Sequence, residues 1–232
     1  LDSWRETARL LSPELVLVVS ALLVLGLDLA FSRLKDSLAY LALGGLLAAI
    51  VASVSLRGTQ ASLLSHMLTL DPFALFFKIL ACMATGLVII SSMTYMKSRT
   101  PYRGEFYGLL LLATLAITLL AGASDMVMIY LSFEFLSLTC YVLVGYLRDD
   151  PKSSEGGIKY FLYGAVTSAV MLYGMSLLYG ITGSTQLTAI AEAFLSPSSL
   201  VASTRWLILP AVVFVLAGFG FKIALVPFHQ WA

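Results

Sequence analysis

Seven long runs of apolar residues set the architecture of this chain. They lie at about 14–31, 37–56, 73–95, 106–122, 126–147, 158–181 and 206–230. Runs of roughly 17–25 residues match the length of an α-helix that crosses the hydrocarbon core of a bilayer. Backbone groups in lipid must bond within their own segment, and continuous runs favour helices over the short alternating strands of a β-barrel. The sequence therefore predicts an all-α integral membrane protein with about seven transmembrane helices.

Composition agrees with this class and excludes several functions. The chain is 59% hydrophobic and 12% charged, about half the charge of a soluble domain. Its formal net charge of +1 gives no reason to expect nucleic-acid binding. Cys82 and Cys140 lie inside apolar runs and are interpreted as packing residues. Without a CxxC pair, a glycine-rich phosphate loop or metal-spaced histidines, we expect no electron carrier or other cofactor in this chain.

Basic residues in the connections predict the orientation. One side of the predicted bundle has seven of them, Arg33, Lys35, Lys97, Arg99, Arg103, Arg148 and Lys152, and the other has four, Arg5, Arg9, Arg57 and Arg205. The richer side is expected in the cytoplasm, which places the N-terminus outside. Asp71 and Asp125 precede spans three and five, and both are interpreted as helix caps. Residues 187–194 are expected to form a short surface helix.

Four ionisable side chains fall well inside the predicted spans, where such residues are costly and commonly functional. They are Lys78, Glu134, Lys159 and Lys222. Lys78 either extends along its stem to the interface or has a function. Lys159 is four residues after Glu155, so it forms either a helix salt bridge or a relay point. Asp28, near the end of its span, is interpreted as structural.

Glu134 and Lys222 are the strongest candidates for a proton path. Glycines at 218 and 220 and a proline at 227 flank Lys222, a pattern typical of the interrupted helices that carry ion sites in transporters. A nearby carboxylate strengthens the hold of a buried lysine on its proton, and its withdrawal weakens that hold. A fixed ion pair that keeps two helices in register is the alternative.

Polar side chains near this pair could complete a chain of proton carriers. Candidates are Ser132, Ser137, Thr139, His229 and nearby tyrosines. His229 is either a packing residue or a relay member that titrates near neutrality. Counted from the outer ends of their spans, Glu134 lies about 12 Å deep and Lys222 about 24 Å deep. The sequence alone therefore does not establish that the two side chains touch.

Three segments carry a family resemblance. They are the eleven residues from Glu155 to Ala165, the seven from Leu178 to Ser184, and the fourteen from Gly218 to Trp231, with Lys222 and His229. They resemble the subunit N family of the proton-pumping NADH–quinone oxidoreductase, respiratory complex I. This family is one of the antiporter-like subunits, which are related to sodium/proton antiporters.

The resemblance implies a fold of fourteen helices with inverted repeats and a broken helix seven. It also implies that Glu134 is the helix-five glutamate, Lys159 the helix-six lysine, Lys222 the lysine of the broken helix and His229 the histidine after the break. Residues 1–122 would form helices one to four, and residues 123–232 helices five to seven. The chain is expected to stop before helix eight, as part of a longer protein.

For the parent complex, the resemblance implies quinone and NADH as substrates, with flavin and iron–sulfur clusters in other subunits. The expected partners are other membrane subunits, including sister antiporter-like subunits, and the lipid bilayer. A bacterial plasma membrane is the expected location, with thylakoid and mitochondrial inner membranes as alternatives. Proton translocation coupled to quinone reduction is the predicted function. A cation/proton antiporter subunit and a structural membrane anchor are the alternatives.

Overall fold

The computed structural model describes residues 2–31, 35, 37–195, 201 and 203–231, and helices dominate this part of the chain. Seven of the described helices are long and apolar enough to cross a membrane. They are α2 (Ser12–Ala30), α3 (Leu38–Ser55), α4 (Pro72–Arg99), α5 (Arg103–Ala121), α6 (Met126–Val144), α7 (Pro151–Thr182) and α9 (Ile208–Lys222), which a short 3-10 turn (Arg205–Leu207) precedes. Two shorter helices are α1 (Asp2–Leu10) and α8 (Leu187–Leu195). The prediction of seven membrane helices is confirmed.

Three predicted ends differ from the observed ones by four residues or more. The helix α4 continues to Arg99, and α7 begins at Pro151 rather than 158. Hydropathy detects the apolar part of a helix, whereas polar turns beyond it are set by caps such as Asp150, which accepts from the Lys152 amide at 3.0 Å. The last span was predicted to reach 230, but its helix ends at Lys222. Arg33 and residues 196–200 of the long connection lie outside the described residues.

Both predicted aspartate caps are present. Asp71 Oδ1 accepts a hydrogen bond from the Ala74 amide at 2.7 Å, and Asp125 Oδ1 accepts from the Val127 amide at 2.8 Å. The Thr185 hydroxyl also donates to Asp125 Oδ2 at 2.5 Å. The bonds from the Ala74 and Val127 amides each satisfy a donor that the first helical turn leaves unpaired. The surface helix expected at 187–194 is observed as α8.

A small β-hairpin in the connection between α3 and α4 was not predicted. Strands β1 (Ala61–Leu63) and β2 (Leu68–Leu70) pair antiparallel. Their leucines join others in an apolar cap formed by Leu10, Leu56, Leu63, Leu68, Leu70 and Leu75. The cap closes the bundle at the face where α2 begins, which we call the N-terminal face. Strands of three residues are too short for a clear alternating pattern.

The helices form two groups joined through α5 and α6. Helices α2 to α5 pack around one core, and α6, α7 and α9 form the second group. Glycines allow α7 and α9 to approach closely, as small residues commonly do between membrane helices. A Cβ on Gly174 would lie 2.7 Å from the Ala211 carbonyl oxygen, and one on Gly218 would lie 2.5 Å from Met171. This packing brings the end of α9 against α6 and α7.

Candidate functional site

Lys222 is the last residue of α9, where the helix breaks inside the bundle. Two carbonyls of this final turn accept hydrogen bonds from outside the helix. Gly220 O accepts from the Leu225 amide at 2.7 Å, and Phe221 O accepts from Trp231 Nε1 at 2.8 Å. The C-terminal end of a helix carries partial negative charge, which favours a cation there. The break predicted from the sequence therefore creates a suitable place for an ammonium group.

Two hydroxyls hold the Lys222 side chain. Its Nζ donates to Tyr160 Oη at 3.0 Å and to Ser137 Oγ at 3.3 Å. Nζ also lies 5.8 Å from the ring centre of Phe133 and 5.5 Å from that of Tyr160, distances typical of cation–π contacts. Lys222 is half-buried, whereas Ser137, Phe133 and Tyr160 are all buried. The ammonium is thus bound by neutral groups of α6 and α7.

Glu134 has a different partner. The Ser168 hydroxyl of α7 donates a short hydrogen bond to Glu134 Oε1, and Tyr130 Oη lies 3.1 Å from Ser168 Oγ. Among the described residues, no ion pair joins Glu134 to Lys222. The carboxylate and the ammonium therefore occupy adjacent but separate polar positions.

Ser137 lies between the Glu134 carboxylate and the Lys222 ammonium. Its position explains how the two side chains come close although their backbones lie at different depths. It follows Glu134 by three residues on α6, so the two side chains lie one helical turn apart on the same face. Ser137 is about 17 Å deep on the 1.5 Å count used for Glu134 and Lys222. Side chains on a helix lean toward its N-terminus, so the long Lys222 stem extends back toward Ser137. The ammonium contacts the helix of Glu134 without contacting Glu134 itself.

Aromatic rings fix Tyr160 beneath the ammonium. Its ring stacks on Trp231 with centres 4.3 Å apart and meets Tyr141 edge-on at 4.8 Å. Gly164 leaves room for the Tyr141 hydroxyl, which would collide with any Cβ at that position. Tyr160, Gly164 and Ser168 follow at intervals of four residues, so they share one face of α7. That spacing was visible in the sequence and could have identified the tyrosine and serine, which we did not single out.

Lys159 and His229 do not join this cluster. Lys159 Nζ pairs with Glu155 Oε1 at 2.5 Å, and the two side chains are 58% and 64% exposed. His229 is exposed, and no hydrogen bond to it is found within the described part of the chain. The structure thus favours the salt-bridge interpretation of Lys159. A relay role for either residue stays a prediction.

Comparison with known proteins identifies the family. Residues 123–232, which include the whole Glu134–Lys222 site, match the family described as "NADH:quinone oxidoreductase/Mrp antiporter, TM". NADH-quinone oxidoreductase subunit N of Desulfitobacterium hafniense is 45% identical over 226 residues, which cover 96% of this chain and 44% of that protein. The chain belongs to the antiporter-like membrane subunits of this family. It spans less than half the length of that relative.

Solved structures agree with the antiporter-like assignment. A chain of respiratory complex I from Thermus thermophilus, with bound aureothin, aligns with a TM-score of 0.73 and 28% identity over 94% of this chain and 45% of that one. A chain of an archaeal membrane-bound sulfane sulfur reductase aligns with a TM-score of 0.80 at 17% identity, covering 97% of this chain and 47% of that one. The second similarity shows the fold alone, since one fold serves several functions.

This antiporter-like subunit also has a buried ion pair outside the residues that the family match covers. Lys78 Nζ lies 2.6 Å from Glu14 Oε1, with side-chain exposures of 6% and 7%. Glu14 Oε2 is buried without a hydrogen-bond partner among the described residues. Lys78 therefore does not reach the interface. Asp28 is also buried rather than interfacial, and it packs against Gly104.

Glu14 was not predicted as a buried residue because it is the first residue of a predicted span, where a carboxylate resembles a solvated helix start. A signal was present, since Lys78 and Glu14 are each a few residues from the start of a span. Such residues lie at similar depth in helices that begin at the same face. Among the described residues, no three His, Cys, Asp or Glu side chains gather as a metal site would require.

Proposed function

We propose that this chain belongs to a membrane subunit that translocates protons, in a complex whose other subunits reduce quinone with NADH or a related donor. The observation that carries the proposal is the contact of Lys222 with Ser137 and Tyr160, one turn from Glu134. Any flavin and iron–sulfur clusters of the complex would then belong to other subunits.

The arrangement supports proton transfer because each component can hold or pass a proton. The Lys222 ammonium donates to two hydroxyls, and a hydroxyl can accept one hydrogen bond while donating another. Glu134 and Ser137 are separated by one helical turn, a gap of the size that one bridging water molecule can span. Since Glu134 carries the compensating negative charge, its distance from the ammonium governs how strongly Lys222 retains its proton. We assign Glu134 and Lys222 as the relay, with Lys159 and His229 as further members to be tested.

A sodium/proton antiporter is the second candidate, because the family includes Mrp antiporters. Sodium would need several oxygen ligands near Glu134. Of the nearby oxygens, Ser137 Oγ and Tyr160 Oη already accept hydrogen bonds from the Lys222 ammonium. A second cation beside an ammonium is repelled more strongly than in water, because the dielectric constant inside a protein is lower. These contacts favour the proton as the transported ion.

The proposed subunit sits in an energy-converting membrane, with a bacterial plasma membrane as the location favoured by its relatives. The N-terminus is proposed to lie outside. Many large apolar side chains are exposed on the described surface, among them Leu131, Leu162, Val166, Leu209 and Leu216. We assign these surfaces to contacts with lipid and with neighbouring membrane subunits, including sister antiporter-like subunits.

Replacing Lys222 by methionine in the full-length subunit tests the proposal. Methionine has a similar length and shape but carries no proton. We expect assembled complex in membrane vesicles to lose proton translocation, measured with a pH-sensitive dye during quinone reduction. The matched control is Lys152→Met, because Lys152 is exposed near the start of α7.

The outcomes separate the three candidate functions. Full assembly with normal pumping by Lys222→Met would support the structural anchor and overturn the relay. Loss of pumping with normal assembly supports the relay. An antiporter predicts transport that depends on sodium concentration, so activity unchanged by removal of sodium excludes it.

A further inference from the structure

The Glu134 carboxylate lies between two possible partners. In the structure it accepts the hydrogen bond from Ser168. The Lys222 ammonium lies over the ring of Phe133 and contacts Ser137, the residues immediately before Glu134 and one turn after it. A carboxylate near an unpaired ammonium is attracted to it, most strongly in a poorly solvated interior. A group that keeps the Glu134 carboxylate away from the Lys222 ammonium therefore affects the behaviour of both side chains.

Ser168 is suited to this role because of its unusual hydrogen bonding. Several helical hydroxyls in this chain bond a carbonyl of their own helix, as Ser53, Thr139 and Thr167 do. Such local bonds are the ordinary state of serine and threonine within a helix. The Ser168 hydroxyl instead crosses from α7 to a charged group on α6. Hydrogen bonds to charged groups are stronger than those between neutral groups.

Tyr130 completes the arrangement. A serine hydroxyl has one proton, and Ser168 gives it to Glu134, so the contact at 3.1 Å requires Tyr130 to donate to Ser168. When the Tyr130 hydroxyl donates to the Ser168 hydroxyl, it polarises that hydroxyl and strengthens its hydrogen bond to the Glu134 carboxylate. Tyr130 lies one turn before Glu134 on α6, while buried Ser168 lies opposite on α7. The pair thus supports one fixed position of the carboxylate.

We propose that Ser168, supported by Tyr130, is a positioning residue that holds Glu134 away from Lys222 and so keeps the Lys222 proton transferable. This inference rests on the proposed proton-translocating function. Glu134 has two positions, one on the Ser168 hydroxyl and one on the Lys222 ammonium. The titratable groups around it are Lys222 of α9, Tyr130 and Tyr141 of α6, and Tyr160 of α7.

Ser168→Ala in the full-length subunit within the assembled complex tests the inference. Loss of a hydrogen bond to a charged group shifts the two positions of Glu134 by roughly 10- to 150-fold toward Lys222. We expect proton translocation to fall about tenfold or more. The infrared carboxylate band of Glu134, assigned by its absence in Glu134→Gln, should shift in Ser168→Ala. A role in helix packing alone would not move that band.

Three variants provide the controls. Ser168→Thr keeps the hydroxyl and should restore both the band and the translocation rate. Thr167→Ala removes the adjacent hydroxyl, whose hydrogen bonds in the described structure all go to carbonyls of its own helix, Tyr163 O and Gly164 O. This variant should leave both the band and the translocation rate unchanged. Tyr130→Phe removes the supporting donor and should give a smaller shift of the band. If Ser168→Ala does not assemble, Tyr130→Phe decides the question, and an unaltered band overturns the inference.

The outcomes distinguish this inference from the proposed function. If Lys222→Met pumps normally, the relay itself is wrong. If Lys222→Met stops pumping but Ser168→Ala matches Thr167→Ala in rate and spectrum, the relay stands and the positioning role of Ser168 is overturned. Failure of Ser168→Thr to restore the band would also overturn it, since the hydroxyl would then not be the effective group.

Discussion

Removing one partner of the buried Glu14–Lys78 pair should destabilise the subunit strongly. The charges are 2.6 Å apart with exposures of 6% and 7%, and Coulomb attraction at this distance is about 6 kcal/mol for an effective dielectric constant of about 20. Relaxation offsets part of this attraction, and breaking such pairs costs about 3–5 kcal/mol. Lys78→Met leaves Glu14 without compensation, and its Oε2 atom already has no hydrogen-bond partner among the described residues. We therefore expect Lys78→Met to lower the free energy of unfolding by about 3–5 kcal/mol.

The double variant Glu14→Leu/Lys78→Met should destabilise the subunit far less than either single variant. Both charges are then absent, and replacing a buried pair by apolar residues is commonly neutral or stabilising by about 1–4 kcal/mol. Reversible unfolding of the full-length subunit in mixed micelles, followed by circular dichroism, measures all four members of this mutant cycle. A coupling free energy below about 1 kcal/mol, the range of exposed pairs, would refute the argument. It would mean that water screens the pair despite its burial.

Three further predictions use the same unfolding measurement. Tyr160→Phe removes one hydroxyl from the half-buried Lys222 ammonium and should lower the free energy of unfolding by about 1.5–3 kcal/mol. An unchanged value would show that this hydrogen bond is not formed. Asp125→Ala removes a helix cap and should lower the free energy of unfolding by about 1 kcal/mol. An unchanged value would show that water replaces the cap. Gly218→Ala puts a Cβ 2.5 Å from Met171 and should cost about 1–3 kcal/mol. The matched control Gly26→Ala, with nothing within 4 Å, should not destabilise.

The sequence predicted the membrane helices and the break at Lys222 because both have local causes. An apolar run of sufficient length must be helical in lipid, and glycines with a nearby proline loosen a helix wherever they occur. Asp71 and Asp125 were predicted as caps for the same reason, since a cap depends on the few residues that follow it. Features set by neighbouring positions in the chain were therefore accessible without a structure.

Features that depend on contacts between helices distant in the sequence were not predicted. Glu14 and Lys78 are 64 positions apart, and only the contact between their side chains in the folded bundle shows that they pair. The spacing of Tyr160, Gly164 and Ser168 marks one face of α7, but nothing local indicates that the Ser168 hydroxyl crosses to Glu134 on another helix. The position of the Lys222 ammonium also required the structure, because a long flexible stem moves the charge by more than one helical turn.

Lys78 and Lys222 show how the same side chain can serve different purposes in one bundle. Lys78 makes direct contact with the Glu14 carboxylate, so this pair acts as a fixed link between helices. Lys222 lies against the neutral hydroxyls of Ser137 and Tyr160, while Glu134 is bound elsewhere. An ammonium without a direct counter-charge is a better proton donor, because losing its proton breaks no ion pair. In the proposed relay, the separation of the two charges, rather than the charges themselves, is therefore the feature suited to proton transfer.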